Sequence, residues 1–251
     1  MYTRHQIINA STVKNRDMLT SNALRTDKIH VWQSLLDDSD DLLDEYSAIL
    51  NQEERERSEK FKFKKHKNYY ITGRAKLRNL IAQYTSIPPR DIQFQYNKYG
   101  KPFLESIPLK FNISHSKNEV VFCLNLENEI GVDIEVINKH IEIDKLAKRF
   151  FSKQEAATIL SSNTDISHAY FFRCWTRKEA FIKAHGEGLS IPLDQFQVNI
   201  LPEKDVAIDK IEWDPDSVKN WNLYSFEYSD SSVYAVALSS NMRKKIVHFR
   251  Y

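Results

Sequence analysis

At 251 residues, 41% of them hydrophobic and 12% aromatic, the chain has material for one large buried core or two medium ones. Its 36 Lys and Arg nearly balance 34 Asp and Glu, a formal charge of +2, which argues against a nucleic-acid binder resting on bulk charge. No apolar run is long enough to span a membrane, and the first twenty residues lack the apolar core of a secretory signal. Cys123 and Cys174 both lie among apolar neighbours, as buried free thiols do, so the expectation is a cytoplasmic protein.

Residues 1 to about 27 are polar and unpatterned, and KIHVWQSLL after them reads as a strand followed by a turn. From Asp41 to Tyr84 the pattern is helical, with Tyr70, Gly73, Leu77, Leu80, Ile81 and Tyr84 at helical intervals. Gly73 within that helix costs about 1 kcal/mol relative to alanine, which suggests close packing or a ligand near the backbone. EKFKFKKHK, residues 59–67, is the densest basic run and reads first as a solvated face. Ile92, Phe94 and Tyr96 alternate as in a half-buried strand before the turn NKYG. KFNIS, VVFCLNL and IGVDIEVI follow as strands on links too short for a crossover, which predicts an antiparallel meander. IDKLAKRFFSKQEAATIL and FFRCWTRKEAFIKAHGEGL are helical, and FQVNIL, KIEW, WNLYSFEY, SVYAVALS and KIVHFRY are strands. Helices then strands, twice over, predict an α+β fold of two α/β halves, 1–128 and 129–251, each a helix on a small, mainly antiparallel sheet.

Several residues carry chemistry. Asp133 and Glu135 are two apart on a strand, so both project from one face while Val132, Ile134 and Val136 face the core. Such a pair repels itself, and a divalent cation or a basic partner would relieve it; a solvent-facing strand is the plainer reading. Glu179 and Lys183 interrupt the apolar stripe of Phe172, Trp175 and Ile182 on a helix, either as a surface pair or facing opposite charges in a cleft. Ser114, His115 and Ser116 are expected to occupy the turn between two strands, where they could reach a phosphate, but adjacent residues cannot form a hydrolase triad. The YGKP turn, Tyr99 to Pro102, places a lysine on a rigid corner. Ser152 and Glu155 form S-x-x-E, a capping box, so Glu155 is not assigned to catalysis.

The order GRAKLR, YGKP, FNISHS, GVDIE, FFS and WTRKEAFIKAHGEGL, over residues 45 to 200, resembles the 4′-phosphopantetheinyl transferases of the surfactin-synthetase-activating type. The resemblance implies two similar halves about a pseudo-twofold axis, a cytoplasmic monomer, and a cleft holding coenzyme A and magnesium, or manganese in its place. It implies Asp133, Glu135 and Glu179 as metal ligands, with Asp133, Glu179 and Lys183 at the reacting centre. Lys183 and Lys178 would meet the pyrophosphate, Ser114 and His115 the coenzyme phosphates, and Gly100, Lys101 and Pro102 would border the adenine nucleotide. Arg57 and Arg74 would take the 3′-phosphate, although some members carry a lysine where this chain has Glu54. The implied partner is an apo acyl or peptidyl carrier protein, in secondary metabolism rather than fatty-acid synthesis. Glu179 is the candidate general base, directly or through a metal-bound water. A magnesium-dependent phosphohydrolase of coenzyme A or nucleotides and a non-catalytic coenzyme A or carrier binder are the competing readings; binding to nucleic acid or a membrane is not expected.

Overall fold

The computed structural model describes residues 8–9, 23–36, 42–202, 205–229 and 231–251. In chain order its strands are β1 (Ile8–Asn9), β2 (Lys28–Leu35), β3 (Gln95–Tyr96), β4 (Pro102–Phe103), β5 (Leu109–Ser116), β6 (Glu119–Leu126), β7 (Ile130–Val136), β8 (Phe196–Val198), β9 (Ile208–Ile211), β10 (Trp221–Ser229), β11 (Ser232–Ser239) and β12 (Lys245–Arg250). The helices are α1 (Leu43–Ile49), α2 (Gln52–Glu59), α3 (Lys64–Thr85), α4 (Ile143–Phe150), α5 (Lys153–Leu160) and α6 (Thr164–His185). This is the mixed α+β architecture the sequence predicts. The turn expected after β2, and most of residues 1–27, lie outside the described residues.

Two sheets pack face to face, each covered by one long helix. The first has the strand order β1-β12-β2-β6-β5 and the second β10-β11-β7. Strand β6 lies inside the first sheet, between β2 and β5, and VVFCLN is buried throughout, as a strand covered on both faces must be. On its outer face Trp32, Phe111, Phe122, Leu124 and Phe249 meet Tyr69, Leu77, Leu80 and Ile81 of α3. On its inner face Ile29, Val31, Val121 and Cys123 meet Val132, Ile134, Tyr234 and Val236 of the second sheet. The far side of the second sheet, with Ala235 and Ala237, packs on Ala180, Phe181 and Ala184 of α6. Each aliphatic side chain so buried is worth about 1.5–3 kcal/mol, and these three interfaces hold the layers together.

Two expectations about topology need correcting. Strand β7 does not continue the meander beside β6; it pairs antiparallel with β11, Asp133 opposite Ala235 and Glu135 opposite Val233. The turn at Glu127, with φ of 74°, redirects the chain, and Asn128 and Glu129 then bond Ser239 of β11. Strand β12, from the end of the chain, crosses back and pairs in parallel with β2, so a cut at residue 128 separates the sequence but not the first sheet. The segment around Ile92 and Phe94 is strand only at Gln95–Tyr96, because Ile92 is buried and its carbonyl is taken by Arg78. Gly73 faces only ordinary contacts, Leu36 and Ile113 side chains 3.5 Å or more from where a Cβ would be. Both cysteines are buried and free, and among the described residues no helix is long and apolar enough to cross a membrane.

Candidate active site

Helix α6 is started by Asn163, whose side chain accepts from the Ile166 N–H, and ended by Gly186 in the left-handed region at φ of 89°. It lies directly on β7. A Cβ on Gly131 would stand 2.2 Å from the Ala180 carbonyl oxygen and 2.3 Å from the Ala184 nitrogen, so only glycine permits this approach. Two residues further along the same face comes Asp133, and from the helix Glu179 and Lys183 flank the contact.

The acids meet there without full compensation. Asp133 is buried; its Oδ1 accepts from Lys183 Nζ at 2.5 Å and from Ser114 Oγ at 2.9 Å, while its Oδ2 is buried with no hydrogen-bond partner. Burial and then the Asp133 charge raise the Glu135 carboxyl above the usual range. Burial, then Asp133, with Glu135 adding to it, push Glu179 up to about 7. Among the described residues no three His, Cys, Asp or Glu side chains stand as a finished metal cage. The Lys183 ammonium lies on Asp133 Oδ1, at 2.5 Å. The donor set nonetheless fits a hard divalent ion: three mutually repelling carboxylates, one with a buried oxygen lacking any donor.

Ser114, His115 and Ser116, expected in a turn, are the last residues of strand β5, paired with Val121, Val120 and Glu119 of β6, and β5 reaches β7 through side chains. Asn112 Oδ1 accepts from the Val132 N–H at 3.0 Å, and Ser116 Oγ accepts from the Val136 N–H at 3.1 Å and donates to Glu135 at 2.8 Å. The period of two in F-N-I-S-H-S places Asn112, Ser114 and Ser116 on the face toward β7. His115, on the opposite face, lines a cavity of about 770 Å³ with Phe61, Lys65, His66, Tyr69, Tyr70 and Lys117. That lining holds cations and no acid. Lys183, His66 and Asp133 all act on His115, whose pKa is lowered, first by burial, so this cavity opens beside the acids. A second, apolar cavity of about 320 Å³ runs from Ser116, Lys117 and Glu135 to Phe171, Phe172 and Trp175. The two meet at the Ser116–Lys117 turn.

Three expected ligand contacts are taken up by structure instead. Lys178 is fully buried, its Nζ donating to the Leu193 carbonyl at 2.7 Å and to that of Phe196, 2.9 Å from Glu155. Glu155 is indeed a capping-box residue, paired with Ser152. Arg74 is buried and ion-paired to Glu54 at 2.6 Å; Arg78, fully buried, holds the other Glu54 oxygen at 2.7 Å, so Glu54 ties α2 to α3. Lys101 bonds Glu129 at 2.7 Å and the Ala184 carbonyl at 2.9 Å, clamping the turn that Gly100 makes at φ of 86°, ahead of Pro102, to the end of α6. Arg57 remains exposed, 5.7 Å over the ring of Tyr70, which lines the larger cavity. The sequence reading missed Lys65, His66, Tyr69 and Lys117 as cavity residues; the basic run and the SHSK turn contain them, but neither shows that α3 and β5 converge.

Comparison with known proteins identifies a family. Residues 129–239 match the model of the 4′-phosphopantetheinyl transferase superfamily, and residues 36–126 that of the 4′-phosphopantetheinyl transferase N-terminal region. Among relatives, the 4′-phosphopantetheinyl transferase HetI of Nostoc sp. is 32% identical, covering 86% of this chain and 90% of that protein. The 4′-phosphopantetheinyl transferase Sfp of Bacillus subtilis is 36% identical over 65% of this chain and 72% of its own. A solved holo-(acyl-carrier-protein) synthase of Bacillus anthracis, in complex with CoA, shows only a low likeness, with a TM-score of 0.36 and 17% identity over 44% of this chain and 93% of that one. The extent of the match to HetI, with the two domain models falling on successive parts of the chain, places this protein in the 4′-phosphopantetheinyl transferase superfamily.

Proposed function

We propose that this chain transfers the 4′-phosphopantetheine arm of coenzyme A to a serine hydroxyl of an apo carrier protein and releases 3′,5′-ADP. One observation carries the reading: a cation-lined cavity and a cluster of under-compensated carboxylates meet at one turn, a receptor for phosphate beside a receptor for a divalent cation. The nucleotide phosphates fit among Lys65, His66, His115 and Lys117, with Arg57 over the ring of Tyr70, which lines the same cavity. The diphosphate then lies by Lys183, and the apolar part of the arm fits the smaller cavity against Phe171, Phe172 and Trp175.

Asp133, Glu135 and Glu179 would hold magnesium, which supplies charge neutralisation at the diphosphate. In the transfer the carrier serine oxygen forms a bond to the pantetheine-side phosphorus, the bond from that phosphorus to the bridging oxygen breaks, and that oxygen leaves with 3′,5′-ADP. The serine proton needs an acceptor, and Glu179, on α6 beside Lys183, would take it directly or through a metal-bound water. Lys183, 28% exposed and 2.5 Å from Asp133, would offset the charge growing on the departing oxygen.

The test is to mix the protein with coenzyme A, magnesium and a panel of apo carrier proteins and to weigh each carrier intact. A gain of one phosphopantetheine on the serine supports the reading. Coenzyme A consumed with no carrier gaining mass would replace it with a phosphohydrolase.

A further inference from the structure

Two strands from different sheets meet at the site with matched spacing. Ser114 and Ser116 of β5 face Asp133 and Glu135 of β7, and each serine hydroxyl donates to the carboxylate opposite, at 2.9 and 2.8 Å. The two rungs are not equivalent. Asp133 is short and buried, and Lys183 holds it as well as Ser114. Glu135 is longer and only half buried, and Ser116 is the hydrogen-bond donor the structure gives its carboxylate.

We infer that Ser116 is a positioning residue for Glu135, fixing the carboxylate in the orientation in which it meets the divalent cation; this rests on the reading that the acids bind one. A hydroxyl has a single proton and two lone pairs. The Val136 N–H can only donate, and it donates to Ser116 Oγ at 3.1 Å, which leaves the serine proton for Glu135. The backbone of β7 therefore orients the hydroxyl that orients the side chain of its own residue 135. A glutamate has three rotatable bonds, and a half-buried one left without this bond would spread over several rotamers. Ser116 also borders both cavities, but its hydroxyl is committed to the Val136 N–H and to the Glu135 carboxylate, so its part in holding the cation is played through Glu135.

The experiment measures Mn²⁺ affinity of the full chain by electron paramagnetic resonance, without coenzyme A, alongside melting in EDTA. Ser116→Ala is expected to weaken Mn²⁺ binding about 10- to 100-fold, the usual consequence of losing a group that orients a metal ligand. Ser116→Thr, which keeps the hydroxyl, is expected to stay within about threefold of the parent. In a Glu135→Gln background, adding Ser116→Ala is expected to change affinity by less than about twofold, because the residue it positions is already neutral. If Ser116→Ala melts below the assay temperature, Ser116→Cys, with its weak donor, carries the test, and a drop of several-fold is expected. Parent-like affinity in the alanine or cysteine variant, or an equal loss with and without Glu135, overturns the inference. Should the parent bind no Mn²⁺, or Asp133→Asn bind it as the parent does, the metal reading itself falls, whatever Ser116 shows.

Discussion

Replacing Gly131 by alanine tests whether the approach of α6 to β7 sets the site. The added Cβ would lie 2.2 Å from the Ala180 oxygen, 2.3 Å from the Ala184 nitrogen and 2.9 Å from the Lys183 carbonyl carbon, whereas ordinary Cβ contacts begin near 3.4 Å. All three atoms are backbone, so no side chain can rotate aside, and helix and strand must part by about 1 Å. Overpacking of this kind costs about 1–3 kcal/mol of stability. Ala180 and Ala184 sit next to Glu179 and Lys183, so the same shift carries both away from Asp133, and a displacement of about 1 Å in a reacting site costs about 100-fold in rate. The assay is the rate of holo-carrier formation by intact mass at saturating substrates, with urea denaturation in parallel. Gly73→Ala is the control: its Cβ would meet only the Leu36 and Ile113 side chains, at 3.5 and 3.9 Å, so about 1 kcal/mol of helix propensity is gained and the rate stays within about twofold. A Gly131→Ala protein as fast and as stable as the parent would refute the reasoning.

Lys178→Met should cost about 3–5 kcal/mol in urea denaturation, because it strands the Glu155 carboxylate, 5% exposed, together with two carbonyls; unchanged stability with a raised KM for coenzyme A would restore a ligand role. Arg74→Ala should cost less, about 1–3 kcal/mol, because Arg78 still holds Glu54, whereas Arg57→Ala should leave stability within about 0.5 kcal/mol and raise KM for coenzyme A, with kcat unchanged. His30 is buried beside Tyr84 and Lys28, and its pKa falls from 6.5 to about 3, burial being the larger cause. Its folded-state pKa lies below the unfolded one, so it contributes stability above pH 6.5 that is lost as pH falls toward 3. Between pH 6 and 4 the parent should lose up to about 1.4 kcal/mol per pH unit more than His30→Leu in urea titrations, and parallel pH profiles would contradict this.

Local patterns were legible because they need only neighbours in the chain. The D-x-E strand put Val132 and Ile134 in the core and both acids on the other face, as alternation requires, and S-x-x-E was a capping box. Long-range consequences were not legible. Lys178 and Arg74 read as cations available to a ligand, since nothing near them in sequence shows that the Leu193 and Phe196 carbonyls or the Glu54 carboxylate come to them in three dimensions. Strand β12 could not be placed either: its parallel pairing with β2 joins residues more than two hundred positions apart. Gly131 was within reach, because a glycine inside an apolar strand signals close backbone approach, whereas Gly73 in its helix meets only ordinary contacts.

The departure of β7 from the meander is what makes the site. Had β7 paired with a neighbour on both sides, its amides would have been met by backbone carbonyls, and side chains opposite would have had no reason to reach across. By joining β11 on one edge only, β7 leaves the N–H groups of Val132 and Val136 to the side chains of Asn112 and Ser116. The groups that complete the sheet edge thus alternate with those that hold the acids, and Ser116 does both. All three acids come from residues 129–239, but the hydroxyls that orient two of them come from β5, in the first sheet, to which the end of the chain also returns as β12. Neither stretch therefore carries an ordered acid cluster by itself, and the seam between the sheets is as much a part of the site as the carboxylates.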